Sequence, residues 1–244
     1  MRTREVYIED AKSLPLASGV EVIDLSLAEA ISGLQVGLLA FTGPTTPIDD
    51  EPIQEKLSRI DVIDGSDVLY SLTGNQACAN ASFDSGEYPQ CMYSEWPNQP
   101  CSVLIPIMFG RWFGDEEYFL DPAKFRNLQV RITWNIGANY LSSSGRLTII
   151  ARVMPGITGG KGFFMTKEVY SFNSVGGTAV HHIPLPTDHP YRRLMVRGMQ
   201  DEKGVGEALT KFKLSADKDK DVIFELSSEE LAAICHDTYG EFNL

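Results

Sequence analysis

Residues 103–136, VLIPIMFGRWFGDEEYFLDPAKFRNLQVRITWNI, form the densest β-forming and aromatic segment of the chain. The first part, 103–109, is an almost unbroken apolar run, which predicts a strand buried on both faces. The last part, 128–136, alternates apolar and polar residues, which predicts a strand buried on one face. The part between them, 110–127, is acidic, aromatic and rich in turn residues. We therefore expect a long loop that joins two core strands.

Two segments outside this stretch carry hairpin patterns. Residues 57–72 hold two β-forming runs on either side of Asp64-Gly65, a dipeptide that strongly indicates a tight hairpin. Residues 209–226 repeat the same scheme of apolar positions around a turn rich in Asp and Lys. Two weaker echoes occur in the same order along the chain: residues 3–7 with 166–170, and Leu34-x-Val36 with Leu194-x-Val196. Together they predict an internal duplication.

The glycine-rich segment PGITGGKG at residues 155–162 separates the two copies. It is not a phosphate-binding P-loop, because Pro155 and Gly162 stand where that motif needs Gly and Ser or Thr. We interpret it as a linker between a first β-sandwich at residues 1–154 and a second at residues 163–244.

The second sandwich has few residues left after its hairpin. The segment SSEELAAI at residues 227–234 has an N-cap serine and an acidic first turn, so it predicts a short helix rather than strands. A roll built like the first would then leave a sheet edge and an apolar face uncovered. We expect the second sandwich to be incomplete in this sequence, either because the sequence is truncated or because another chain completes it.

The order of strands and turns in residues 103–132 resembles the double jelly-roll major capsid proteins of tailless, often membrane-containing DNA viruses, including some bacteriophages. The residues that carry the resemblance are Ile105-Pro106-Ile107, Phe109, the turn Leu120-Asp121-Pro122, and Leu128-Gln129-Val130-Arg131-Ile132. The turn, with Phe119 before it, matches only part of the Ala-Leu-Pro-Leu turn usual in that family. The resemblance implies an all-β fold of two tandem jelly rolls.

The resemblance also implies a role in a virion. Such protomers form homotrimers with a pseudo-hexagonal outline, which tile an icosahedral shell together with other virion proteins. We expect assembly in the host cytoplasm, with Arg2 and Arg4 facing inward toward an internal membrane or the genome. The loop at residues 110–127 is too long and too aromatic for a mere connection, so it predicts inter-subunit contacts. The candidate contact residues are Trp112, Phe113, Tyr118 and Phe119.

Composition excludes several classes of protein. A hydrophobic content of 43% over 244 residues suffices for a core, and no apolar run approaches the roughly 18 residues of a membrane span. The sequence MRTREVYIED lacks the apolar region of a signal peptide, so we expect a soluble protein that acts inside a cell. The net charge of −12, without a basic stripe, argues against specific nucleic-acid recognition.

No motif for catalysis, cofactor binding or metal binding emerges. The four cysteines lack zinc-site spacing, and we expect thiols rather than disulfides. Neighbouring residues of a strand point to opposite faces, which disfavours a cupin-like metal site at the histidines His181, His182 and His189. Adjacent carboxylates in a loop say nothing of the separation that a glycosidase requires, and this applies to Asp115, Glu116 and Glu117. We predict a protein that is not an enzyme and holds no cofactor.

One alternative function stays open at this stage. A carbohydrate-binding or carbohydrate-active β-sandwich could stack sugars on an aromatic loop, and Trp112-Phe113 with Tyr118-Phe119 would supply such a platform. Aromatic loops also anchor protein interfaces, which is the use that a shell protein would make of the same residues.

Overall fold

The computed structural model describes residues 2–43, 52–92, 96–137, 145–172, 179–198 and 208–239. The chain divides into two compact units, Met1–Glu168 and Val169–Leu244. Strands predominate, and the all-β fold class predicted from the sequence is confirmed. Within the described residues, no helix is both long enough and apolar enough to cross a membrane.

The described part of the first unit contains ten strands and one α-helix. In chain order they are β1 Arg4–Leu14, β2 Gly19–Asp24, β3 Ala30–Phe41, β4 Leu57–Asp64, β5 Asp67–Leu72, α1 Gly74–Ser85, β6 Cys91–Met92, β7 Pro100–Met108, β8 Leu128–Trp134, β9 Gly145–Met154 and β10 Thr166–Lys167. Short 3-10 turns lie at Ile53–Lys56 and Pro122–Lys124.

The strands form two five-stranded sheets. The first sheet has the order β1-β9-β3-β7-β6, and the second has the order β10-β5-β4-β8-β2. Without the two-residue edge strands β6 and β10, the sheets are β1-β9-β3-β7 and β2-β8-β4-β5. Each connection among these eight strands crosses from one sheet to the other, except for the β4–β5 hairpin. Eight strands connected in this way form a jelly roll.

The core lies between the two sheets. On β8 the alternation predicted from the sequence is confirmed, with Val130, Ile132 and Trp134 buried. The Trp134 indole donates hydrogen bonds to the backbone oxygens of Pro15 (3.1 Å) and Ala17 (3.0 Å), so the one polar atom of this ring is satisfied. The buried ring thereby fixes the turn between β1 and β2.

The apolar run on β7 is buried on one face only, which corrects the prediction of a strand buried on both faces. Val103, Ile105 and Ile107 point into the core, whereas Leu104 is 38% exposed. The side chains of a strand alternate between the two faces of its sheet, so the uninterrupted run places apolar residues on the outer face of the first sheet.

The hairpin predicted at residues 57–72 is confirmed as β4 and β5. Asp64 pairs with Asp67, so the two central residues of the turn are Gly65 and Ser66. Gly65 has φ +61°, as the first central residue of a primed hairpin turn requires. The helix α1 that follows was not predicted. Its signal was the capping box at Thr73, which bonds reciprocally with Gln76.

The described part of the second unit holds a hairpin and a helix. The strands are β11 Lys211–Ala216 and β12 Asp221–Ser227, which pair antiparallel as the sequence predicted. The predicted short helix is present as α2 Ser228–Tyr239. Its N-terminus is capped by Ser227, whose hydroxyl accepts from the Glu230 N–H (3.2 Å) while the Glu230 carboxylate accepts from the Ser227 N–H (2.8 Å).

The two weaker echoes do not mark equivalent positions. Strand β1 pairs antiparallel with β9, whereas residues 166–167 pair parallel with β5 in the other sheet. Leu34 and Val36 are fully buried, whereas Leu194 and Val196 are 43% and 59% exposed and lie outside any strand. Of the three echoes, only the hairpin corresponds in structure. Short β-forming patterns recur by chance because strands draw on few residue types.

Candidate assembly interface

A buried carboxylate organises the loop between β7 and β8. Asp115 is 1% exposed and accepts five hydrogen bonds. Three come from Arg111, through its backbone N–H (3.1 Å), its Nε (2.7 Å) and its Nη2 (2.8 Å). The other two come from the backbone N–H groups of Glu117 (3.0 Å) and Tyr118 (3.3 Å). A buried charge with this many donors is fully compensated, and it holds the loop in one shape.

The charges of the loop stabilise one another. The Arg111 guanidinium, helped by the backbone N–H groups, holds the pKa of Asp115 well below its usual range against the opposing effect of burial. The same pair raises the pKa of Arg111. Lys161, bonded to Glu117 at 2.6 Å, lowers the pKa of that carboxyl and has its own pKa raised in return. These side chains stay charged at neutral pH.

The four candidate aromatic residues have different environments. Trp112 is 53% exposed, and the Arg111 guanidinium lies 4.5 Å from its ring centroid. Tyr118 is half-buried and stacks on Phe164 with 5.2 Å between ring centroids. The Phe113 ring lies so close to Gly33 that a Cβ there would come within 2.4 Å of it. Trp112 is thus the side chain of the four that the loop presents most openly.

Phe119 belongs to the core rather than to the surface. It is 1% exposed and packs with Ala30 and Met154. The prediction that Phe119 is an inter-subunit contact is therefore corrected, because its side chain is covered within its own chain. The burial of Phe119 could not be predicted from the loop sequence, because it depends on contacts with residues that are distant in the chain.

The segment at residues 155–162, which the sequence predicts to be a linker, lies along this loop. The Lys161 N–H donates to the Glu117 carbonyl (2.7 Å), and the Phe119 N–H donates to the Gly162 carbonyl (2.8 Å). The two compact units divide between Glu168 and Val169, so residues 155–162 are part of the first unit.

In the part of the chain that the structure describes, the other candidates do not form a catalytic or metal-binding site. A glycosidase acid needs a raised pKa, whereas the pKa values of Asp115 and Glu117 are lowered. His181 packs against Phe172, with 4.1 Å between ring centroids. Among the described residues, no group of three or more His, Cys, Asp or Glu could hold a metal ion. All four cysteines lie within the described residues, and none of them forms a disulfide.

The positions of the aromatic side chains argue against the carbohydrate-binding alternative. A sugar platform needs aromatic faces that are open on the same side of a loop. Here Arg152 covers Phe113 at 4.3 Å from the ring centroid, Phe164 covers Tyr118, and Phe119 is buried. The Trp112 indole has Arg111 over its ring and is 53% exposed, which is typical of a contact between proteins rather than of a sugar platform.

Comparison with known proteins gives a likeness in structure. No family model matches the chain, and no curated protein matches it. The crystal structure of the STIV MCP, a viral major capsid protein, matches over 98% of this chain and 81% of its own length, with a TM-score of 0.59 and 13% identity. That protein is a double jelly roll; in this chain the described residues form one complete jelly roll, in the first unit, and a single hairpin in the second. The fold class predicted from the sequence is thereby confirmed.

Two further solved structures match part of the chain. One is the quasi-atomic model of the PBCV-1 virus capsid, with a TM-score of 0.45 and 10% identity over 62% of this chain and 41% of its own. The other is PBCV-1 VP54 fitted into a reconstruction of the virophage Sputnik, with a TM-score of 0.44 and 9% identity over 62% and 42%. The match spans less than half the length of both proteins.

Proposed function

We propose that this chain is a major capsid protein, a non-enzymatic subunit that assembles with copies of itself into an icosahedral virus shell. The observation that carries the proposal is the match of nearly the whole chain to the STIV MCP. The strand order of the first unit supports it, because it forms a complete jelly roll. The protein would reside in the virion, assembled from homotrimers of pseudo-hexagonal outline.

The loop between β7 and β8 fits a role in assembly. A rigid contact element loses little conformational entropy on binding, and the Asp115 network supplies that rigidity. Trp112 supplies a large, exposed apolar side chain of a residue type enriched at the centres of protein interfaces. We propose that Trp112 meets a neighbouring protomer, with Phe113 and Tyr118 supporting the loop beneath it.

The amino-terminal contact with an internal membrane stays a prediction. Arg2 is exposed, whereas the Arg4 guanidinium forms an ion pair with Glu29 of its own chain. Contacts with other virion proteins likewise stay predictions.

Sedimentation velocity of the purified chain over a wide concentration range tests the proposal. Wild type should form trimers or larger assemblies, and Trp112→Ser should weaken association by about tenfold or more. The matched control is Trp96→Ser, which removes another exposed indole (75% exposed) from outside this loop and should leave association unchanged. Both variants should keep the wild-type circular dichroism. A wild type that stays monomeric would contradict the proposed function, and normal assembly of Trp112→Ser would contradict the role of the loop.

A further inference from the structure

The outer face of the first sheet carries an apolar patch around Gly37. On the first sheet, Leu39, Leu104 and Ile150 share the outer face with Gly37 and Pro106. The outer face of the second sheet carries the ion pair of Arg131 with Asp61 at 2.8 Å beside the exposed side chains of Val20 and Val22. Because a solvent-facing sheet surface is normally polar, the apolar face indicates a surface that becomes covered.

An open depression of about 310 Å³ lies in this apolar face. Gly37, Leu39, Leu104, Ser102, Arg146 and Thr148 line it. A Cβ at Gly37 would lie 3.3 Å from the Leu104 Cδ1 and 3.6 Å from the Thr148 carbonyl oxygen, so packing inside the chain does not exclude a side chain there. Glycine in the middle of a strand weakens that strand, and it often marks the place where another molecule approaches.

We propose that this depression receives Trp112 of a second copy of the chain, an inference that rests on the proposed self-assembly. The depression is apolar at Leu39 and Leu104 and has an exposed cation, Arg146, in its lining. The loop that carries Trp112 also carries the exposed carboxylate Glu116. The Arg111 guanidinium beside the Trp112 ring is neutralised by its ion pairs with Asp115 and Glu117. An indole entering the depression therefore brings the anion Glu116 toward the cation Arg146, and this charge complementarity orients the incoming loop.

The loop of the same chain does not fill the depression. Phe113 rests on Gly33, four residues before Gly37 on β3, which at the rise of a strand is about 13 Å away. The donor loop and the receiving face are therefore separate surfaces of one chain. A contact between two different surfaces is heterologous, and when its rotation closes it forms a ring such as a trimer.

Filling the depression tests the receiving side. Gly37→Leu places a side chain in it without entering the core, and it should weaken association by about tenfold or more. The control is Thr133→Leu, which adds the same side chain to the outer face of the second sheet, where Thr133 pairs with Val20 and Arg59. Thr133→Leu should associate like wild type, and both variants should keep the wild-type melting temperature within a few degrees. A Gly37→Leu variant that folds and associates like wild type overturns the inference.

Charge exchange tests the pairing. Arg146→Glu and Glu116→Arg should each weaken association severalfold, and the double variant should regain most of it because the pair is restored with reversed signs. Single variants without effect, or a double variant weaker than both, overturn the pairing.

A photocrosslink locates the contact directly. With p-benzoylphenylalanine replacing Trp112, irradiation of mixed isotope-labelled and unlabelled chains should link position 112 of one copy to residues 37–39 or 102–104 of another. Intermolecular links that map elsewhere overturn this inference and leave the proposed function standing. A wild type that never associates overturns both.

Discussion

Replacing the buried carboxylate of the β7–β8 loop is the sharpest test of how that loop is held. Asp115→Asn keeps the size of the side chain and removes its charge. If the amide oxygen takes the place of Oδ1, it still accepts from Glu117 and Tyr118. The amide NH₂ then faces the backbone N–H and Nε of Arg111, which lie 3.1 Å and 2.7 Å from Oδ2 in the wild type. The Arg111 backbone N–H and Nε would then face another donor and lose their acceptor.

The cost follows from those contacts. A buried donor left without an acceptor costs about 1–3 kcal/mol, and a hydrogen bond to a charged group contributes about 1.5–3 kcal/mol. The Arg111 side chain is 36% exposed, so water compensates part of the loss. We expect Asp115→Asn to lower the free energy of unfolding of the first unit by about 2–3 kcal/mol. For a unit of this size that corresponds to a melting temperature lower by roughly 4–12 °C.

Differential scanning calorimetry of wild type and Asp115→Asn measures this loss. Glu116→Gln is the matched control, because Glu116 is exposed and its neutralisation should change the free energy of unfolding by less than about 0.5 kcal/mol. If Asp115→Asn has the same melting temperature as Glu116→Gln and wild type, the Asp115 network does not hold the loop.

The pH dependence of the same difference gives a second check. The pKa of Asp115 is lowered in the folded state, so its contribution is complete above the ordinary Asp pKa of about 4 and is lost as the pH falls further. The stability gap between wild type and Asp115→Asn should stay constant from about pH 7 to pH 5 and shrink below about pH 4. A gap that is unchanged at pH 3 would show that the charge does not stabilise the loop.

Three further substitutions probe the rest of the roll, each read out by urea unfolding. Tyr70→Phe should leave stability unchanged or raise it by up to about 1 kcal/mol, because the Tyr70 hydroxyl is buried with no hydrogen-bond partner among the described residues; a loss above about 1 kcal/mol would reveal a missing partner. Thr73→Ala should cost about 1 kcal/mol by removing the cap of α1, whereas Thr73→Ser should cost little. Gly33→Ala should cost about 1–3 kcal/mol, because its Cβ would lie 2.4 Å from the Ile107 carbonyl oxygen; full stability would mean that β3 and β7 can separate.

The sequence predicted the elements that depend on local pattern. The β4–β5 hairpin followed from Asp64-Gly65, and β8 followed from its alternation. The helix α2 followed from Ser227 and the acidic residues after it. In each case the residues that determine the structure are close together in the chain, so the local sequence pattern is enough to predict the element.

Most features that were not predicted from the sequence depend on contacts between residues far apart in the chain. Phe119 is buried because Ala30 and Met154 meet it, and no local pattern records that contact. The helix α1 has a weakly amphipathic sequence, so its capping box at Thr73 was its main signal. The outer face of β7 was predicted to be buried because Leu104 and Pro106 are apolar. In the structure Leu104 is exposed and Pro106 is half-buried, and the proposed contact with a second copy would cover them.

Electron cryomicroscopy of the concentrated, purified chain tests the central claim most directly. The account predicts particles of three chains with a pseudo-hexagonal outline, each chain contributing jelly rolls whose first member has the strand order described above, and arrays of these particles at higher concentration. Particles that remain single chains of 27.0 kDa at every concentration would contradict it.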